Sequence, residues 1–225
     1  MRFDIITIFP ELFTSPLACA LLKRAYAAKI IEVFLHNPRD CTTDRHRSVD
    51  DAPYGGGAGM VMRPEPIVTA VESVPTTGRR LRVLLTPQGE KLTQPLVREF
   101  AVFDQLLLVC GRYEGVDDRV RQLVIDREVS VGDYVVSGGE FPALLLLEAV
   151  IRCLPGALGN ECSAVTDSFT DDLLEYPHYT RPEEFRGLRV PEVLLSGNHA
   201  AIERWRQDAA HQRTTDRRPD LLKKK

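Results

Sequence analysis

One stretch constrains this chain more than any other: Val131-Gly-Asp-Tyr-Val-Val-Ser-Gly-Gly-Glu140, followed at once by the apolar run Phe141 to Leu154. Small-residue turns bracket a short β-branched segment, and Pro142 stands near the start of the ensuing helix, where a missing N–H does no harm. Gly132, Gly138 and Gly139 carry no Cβ and are free to take positive φ, so backbone N–H and C=O groups there can meet a small molecule closely. Two other runs repeat the pattern. Leu106 to Cys110 breaks into Gly111-Arg-Tyr-Glu-Gly115, and Leu81 to Thr86 breaks into Pro87-Gln-Gly-Glu90. An ordinary strand-to-helix turn would account for a lone Gly-Gly. Three apolar strands that each deliver a polar, glycine-bearing loop point to one pocket, because ligands in open α/β sheets lie outside the carboxyl ends of strands.

The rest of the chain supports such a sheet. Arg2 to Ile8 reads as a buried strand, Glu11 to Ala28 as a helix that Pro16 pushes to begin near Ser15, and Ile30 to Leu35 as a second strand. Helices are expected at Glu65–Val74, Leu92–Phe103 and Val116–Asp126, the last with Val120, Leu123 and Val124 as its apolar stripe; a further strand is expected at Gln105–Cys110. This alternation implies an α/β fold with a parallel sheet. Between Asn37 and Met62 the pattern stops. Asp40, Asp44, His46, Asp50 and Asp51 lead into Gly55, Gly56, Gly57 and Gly59, without the Lys-Ser/Thr of a P-loop and without metal-ligand spacing. Pro155 to Glu175 reads as an interdomain linker, with a small helical domain around Trp205 beyond it.

Composition adds three bounds. The 225 residues, 44% hydrophobic and 27% charged, suffice for one sizeable domain and a small second one. No apolar run approaches the roughly 18 residues of a membrane span, since Glu148 and Arg152 interrupt the nearest, so the chain reads as soluble and cytoplasmic. Five cysteines (Cys19, Cys41, Cys110, Cys153, Cys162) without C-x-x-C spacing read as reduced and structural. The net charge of −3 is segregated: Arg181 to Lys225 holds eleven Lys/Arg against seven Asp/Glu, a balance of +4 that leaves −7 on residues 1–180. A basic appendage on an acidic body suits nucleic-acid binding, and a merely solvated helical surface fits the charge equally well.

The Val131–Glu140 and Cys110–Gly115 motifs, with Ala52-Pro-Tyr-Gly-Gly-Gly-Ala-Gly59 and Leu194-Leu-Ser-Gly-Asn-His199, resemble the bacterial tRNA (guanine-N1)-methyltransferase family TrmD, of the knotted SPOUT class. The resemblance runs from Met1 to about Leu222. It implies a SPOUT domain over residues 1–160 with a deep trefoil knot from roughly Leu81 to Leu154, a flexible linker over 161–175, and an all-α tRNA-binding domain over 176–225. It also implies a homodimer whose active site lies at the subunit interface, the anticodon stem-loop of tRNA as partner, and methylation of the guanine immediately 3′ of the anticodon when a guanine precedes it. The segment Asn37–Met62 becomes a mobile element beside the cofactor and RNA sites.

The cofactor implied is S-adenosylmethionine, held at Leu84, Leu85, Gln88, Gly111, Val131, Gly132, Asp133, Tyr134, Val135, Val136, Gly138 and Gly139. Guanine N1 carries a proton at neutral pH, so transfer needs a base there and a cation where charge develops on O6. Asp167 matches the family's general base and Arg152 its catalytic arginine. Without the resemblance, Arg152 reads as a charge favoured by the helix carboxyl end. Glu114 is a candidate to hold the target base, Tyr113 to stack a base or pack, and His178 with Tyr179 to contact RNA or serve a core. A magnesium requirement is implied as well, although no ligand set is visible. Against the family pattern, Leu84 stands where an aromatic is common, Glu175 where Asp is common, and the chain ends early at Lys225. The competing readings are a knotted methyltransferase acting on another RNA base, a cofactor-holding RNA-binding module without turnover, and an NTPase using Gly55–Gly59.

Overall fold

The computed structural model describes residues 1–159 and 167–222, in two compact units, Met1–Gly159 and Asn160–Lys225. In the first, five strands form one parallel sheet: β1 (Arg2–Ile6), β2 (Glu32–His36), β5 (Arg80–Lys91), β6 (Gln105–Cys110) and β7 (Arg127–Ser130), in the order β2-β1-β6-β5-β7. Every residue of β6 is buried, as a central parallel strand with both faces covered requires.

Helices cover both faces. On one, Leu22 of α2 (Ala20–Ala27), Phe100 of α4 (Gln94–Phe100) and Leu146 of α6 (Glu140–Arg152) pack with Phe3, Ile5 and Leu108. On the other, Ile67 and Val71 of α3 (Pro64–Ser73) and Val120 and Val124 of α5 (Asp118–Val124) pack with Ile6, Leu107 and Val109. Leu123, expected in the α5 stripe, instead faces solvent at 65% exposure, leaving the i, i+4 pair Val120 and Val124 as the buried contact.

Several boundaries differ from the sequence reading, each for a local reason. The helix expected from Ser15 to Ala28 is broken: after a 3-10 turn (Pro10–Phe13) and α1 (Thr14–Leu17), the Ala18 and Cys19 amides close back onto Ser15 and Pro16 at 3.1 Å, and Cys19 is extended before α2. Strand β5 does not end at Thr86. It makes an excursion over residues 86–89 and rejoins β7, so that Leu85 and Glu90 both pair with Val129. A Cβ at Gly89 would run into the backbone of Glu128 and Val129, which is why a glycine stands where the strand resumes. Within 37–62 a 3-10 turn (Pro38–Cys41) and a two-stranded hairpin, β3 (Asp50–Asp51) with β4 (Val61–Met62), replace the expected structureless loop.

The second unit is not purely helical. It carries a short hairpin, β8 (Glu184–Phe185) and β9 (Leu188–Arg189), ahead of α7 (Glu192–Leu195), α8 (His199–Arg217) and α9 (Pro219–Leu222). Residues 167–175, expected within the linker, are tied to α8. Leu174 N donates to the buried Thr214 Oγ1 at 2.8 Å, and an Arg213 guanidinium N–H donates to Glu175 O at 3.2 Å. The other linker residues 160–166, with Cys162, lie outside the described residues; Cys19, Cys41 and Cys110 carry free thiols. No helix among the described residues is long and apolar enough to cross a membrane.

One buried charge is built into the sheet. The carboxylate of Asp4, wholly buried, accepts hydrogen bonds from Arg2 (two at 2.7 Å) and Gln105 Nε2 (2.7 Å), and lies 2.8 Å from His36 Nε2. Burial alone would raise its pKa, but the bonds from Arg2, His36 and Gln105 outweigh it and hold the group well below the usual carboxylate range. A depressed folded-state pKa contributes stability that is complete above the unfolded value of about 3.9 and is lost as pH falls toward the folded one. Asp4→Asn is therefore expected to cost about 3 kcal/mol at pH 7. In urea titrations the gap to wild type should stay constant above about pH 4 and narrow below it, by at most about 1.4 kcal/mol per pH unit.

Candidate functional site

Because the strands are parallel, the carboxyl ends of β5, β6 and β7 open on the same edge, and the loops that follow them enclose a cavity of about 340 Å³. The β5 excursion supplies Thr86, Pro87 and Gln88; the loop after β6 supplies residues 111–118; the segment after β7 supplies Val131, Gly132 and residues 134–139. Leu84, Leu85, Val129 and Pro142 add apolar wall. Of the twelve candidate cofactor contacts, all but Asp133 line this cavity. Asp133 turns away, and its carboxylate pairs with Lys91 Nζ at 2.6 Å.

The glycines earn their places here in two different ways. Gly132 takes φ +155°, the left-handed side of the map, whereas Gly139 has an ordinary φ of −77°. Gly138 and Gly139 are required by close approach instead. A Cβ on Gly139 would lie 2.7 Å from Cys110 Cα, and one on Gly138 would enter the Arg112 side chain and sit 2.7 Å from Glu140 Oε2. Gly139 N donates to Gly111 O at 2.9 Å, stitching the two loops.

The neighbouring hairpin is stapled to the same site. Met62 N donates to Gly115 O at 2.9 Å, Asp117 N to Met62 O at 3.0 Å and Glu114 N to Met60 O at 3.0 Å. Gly55, Gly56, Gly57 and Gly59 all have positive φ, and the Glu114 side chain lies against Gly59, where a Cβ would meet it. Tyr113 adopts φ +60°; burial first, then the Asp50 carboxylate, push its phenol above the ordinary value. Cys110 is inert by the same physics. Burial, followed by the charge of Glu140, drives its thiol well above the usual range.

A family model for tRNA (Guanine-1)-methyltransferase TrmD matches residues 1–224. The chain belongs to this TrmD family. A tRNA (guanine-N(1)-)-methyltransferase of Synechocystis is 58% identical over 224 residues, covering 100% of this chain and 96% of the relative. One of Gloeobacter violaceus is 56% identical over 223 residues, covering 99% and 98%, and one of Synechococcus elongatus is 58% identical over 222 residues, covering 98% and 94%.

Arg152 closes α6, whose first turn borders the cavity through Gly139 and Pro142; 12 residues at about 1.5 Å each place it about 18 Å further along the helix. Asp167 belongs to the second unit, where its carbonyl accepts from Thr170 N at 3.3 Å. His178, also there, pairs with Glu175 Oε1 at 2.8 Å and meets the Tyr176 ring at a tilt, 4.8 Å between centroids, while Arg206 stands over the same Tyr176 ring at 5.0 Å. Tyr179 packs against Trp205 at 6.3 Å. Among the described residues no group of three or more His, Cys, Asp or Glu could hold a metal ion.

Sequence reasoning missed Thr7, Arg112 and Glu140: the half-buried Arg112 lines the cavity and pairs with the wholly buried Glu140, which also accepts from the buried Thr7. The acidic residue directly after Gly138-Gly139, opening an apolar helix, was the available signal. Gly139→Ala should force the two loops apart and destabilise the protein by about 2 kcal/mol. Gly159→Ala, with nothing within 4 Å of its Cβ, should stay within about 0.5 kcal/mol of wild type in the same urea titration.

Proposed function

We propose that this chain transfers the methyl group of S-adenosylmethionine to N1 of the tRNA guanine immediately 3′ of the anticodon (position 37) in tRNAs with a preceding guanine, working in the cytoplasm. The observation that carries this reading is the cavity at the ends of β5, β6 and β7 in a member of the TrmD family. Its volume falls in the range of small-molecule sites. Leu84, Leu85, Val131 and Val136 give an apolar slot for adenine, and the approachable backbone of Gly111, Gly132, Gly138 and Gly139 suits the base edge and the amino-acid tail. Gln88 is at hand from the β5 excursion, and Tyr134 and Val135 complete the far wall. The threading of residues 81–154 as a trefoil knot is supported by the return of the chain from β7, at the sheet edge, to the end of β6.

When bound, S-adenosylmethionine supplies a methyl group activated on a sulfonium. Asp167 removes the N1 proton of guanine, and Arg152 holds the negative charge that moves to O6. Glu114, lining the cavity, holds the incoming base, accepting from N1–H before Asp167 takes that proton and from the N2 amine throughout, with Tyr113 beside it for stacking. His178 contacts RNA from the second unit. Magnesium, which the resemblance implies, finds no ligand set among the described residues.

The distance of Arg152 from the cavity of its own chain supports a homodimer in which it serves the cavity of the other copy. Phe141 and Leu145, exposed at 63% and 46%, lie on the same helical face of α6 as Glu148 and Arg152. Two large apolar side chains on that face suit a second copy of the chain. Phe141→Asp is expected to give a monomer in sedimentation velocity and to abolish methyl transfer; a fully active monomer would contradict the shared site.

The central test is transfer of labelled methyl to two unmodified tRNA transcripts, one with guanine at the target and just before it, the other with adenine at the target. Label should enter only the first. Asp167→Ala should reduce it by about 10²–10⁴-fold with the cofactor still bound. Label in both transcripts would instead favour another RNA base as the substrate.

A further inference from the structure

We propose that Glu140 is a positioning residue for the cofactor, acting through Arg112 on the backbone of residues 137–139; this rests on the reading of the cavity as the S-adenosylmethionine site. Glu140 does not line the cavity, and its side chain is wholly buried behind it. Its Oε1 accepts from Thr7 Oγ1 at 2.9 Å, just past the end of β1, and its Oε2 accepts from Arg112 Nε at 2.8 Å, in the loop after β6. Thr7 Oγ1 in turn accepts from Phe9 N at 3.0 Å, and the Arg112 guanidinium lies 4.6 Å over the Phe9 ring. The guanidinium is thereby fixed on its carboxylate side and on one face. From that fixed position it donates to Ser137 O at 3.4 Å, and the Arg112 backbone bridges Gly138. Ser137, Gly138 and Gly139 are cavity wall, so the wall stands where Arg112 holds it and Arg112 stands where Glu140 holds it.

A purely structural role explains this cluster poorly. Helix α6 is already anchored by Leu146, Leu147, Val150 and Ile151, all wholly buried. A buried ion pair adds little net stability over apolar packing, but a charge-assisted bond to the rigid guanidinium fork fixes geometry in a way apolar contact does not. The missing Cβ at Gly138 is the space that the Arg112 side chain occupies, so glycine and ion pair form one device.

The test is calorimetric titration of S-adenosylmethionine into the full chain, wild type and Glu140→Gln, with steady-state methyl transfer and thermal unfolding alongside. Glutamine keeps the shape and the acceptor for Thr7 but removes the charge facing Arg112. The expected result is a rise of about tenfold in Kd and KM for the cofactor. At saturating cofactor kcat should stay within about threefold of wild type and Kd for tRNA should not change. Arg112→Met added to Glu140→Gln should raise the cofactor Kd by less than the product of the two single effects, since Glu140 acts through Arg112. Should Glu140→Gln fold poorly, Thr7→Val, which deletes a single hydroxyl, decides by a rise of about threefold in cofactor Kd at near-wild-type Tm. An unchanged cofactor Kd in the folded variants would overturn the proposal, as would losses of kcat and tRNA affinity that merely track the unfolded fraction. A wild-type chain that binds no S-adenosylmethionine would overturn the cavity reading itself.

Discussion

The arrangement depends on one backbone contact, the hydrogen bond from Gly139 N to Gly111 O. It joins the start of α6 to the end of β6, although the chain arrives there from β7, on the far side of β5. Residues 131–138 must therefore cross the carboxyl end of β5, and Thr86, Pro87 and Gln88 of the β5 excursion line the same cavity. The cavity is the space left between them. Any side chain at position 139 would hold the backbones apart at Cys110, so the topology and the pocket share one steric requirement.

Two buried carboxylates show how differently the same chemical group is used. Asp4 is enclosed by Arg2, His36 and Gln105 on the α3/α5 face. Its partners come from its own strand, from the end of β2 and from the first residue of β6, so it ties three adjacent strands together. Glu140 ties β1 to the loop after β6 through Thr7 and Arg112, and the elements it joins end in the cavity wall. Both are satisfied by hydrogen bonds, which is what makes a buried charge tolerable. Only the second lies where a small displacement would alter a binding surface.

The parallel sheet and the pocket were legible because their signals are local. Leu106 to Cys110 is an uninterrupted apolar run bounded by glycine, and β6 occupies it nearly residue for residue. Strand β7 was passed over because Arg127 and Glu128 give half of a four-residue edge strand a polar appearance. The continuation of β5 was hidden by Pro87 and Gly89, which punctuate a strand in sequence but here mark an excursion from it. The break at Ala18–Ala20 and the exposure of Leu123 follow from tertiary context that periodicity does not carry. Nor could spacing reveal that Asp133 turns to Lys91 or that Arg112 and Glu140 meet, since those partners are 42 and 28 residues apart.

The same helix has two functional ends under the proposed reading. Its amino end packs against β6 and closes the cavity through Gly139 and Pro142; its carboxyl end carries Arg152 on the face that begins with Phe141 and Leu145. A rigid helix of 13 residues cannot bring both ends to one cavity. An arginine that is to act on chemistry in such a cavity must therefore meet one belonging to another copy. The apolar start of that face supplies the means of association, and the charged finish supplies the chemistry. Under that reading dimerisation is a condition for assembling the site, and it gives a role to Phe141 and Leu145, which are exposed on a helix whose opposite face, with Leu146, Leu147, Val150 and Ile151, is wholly buried.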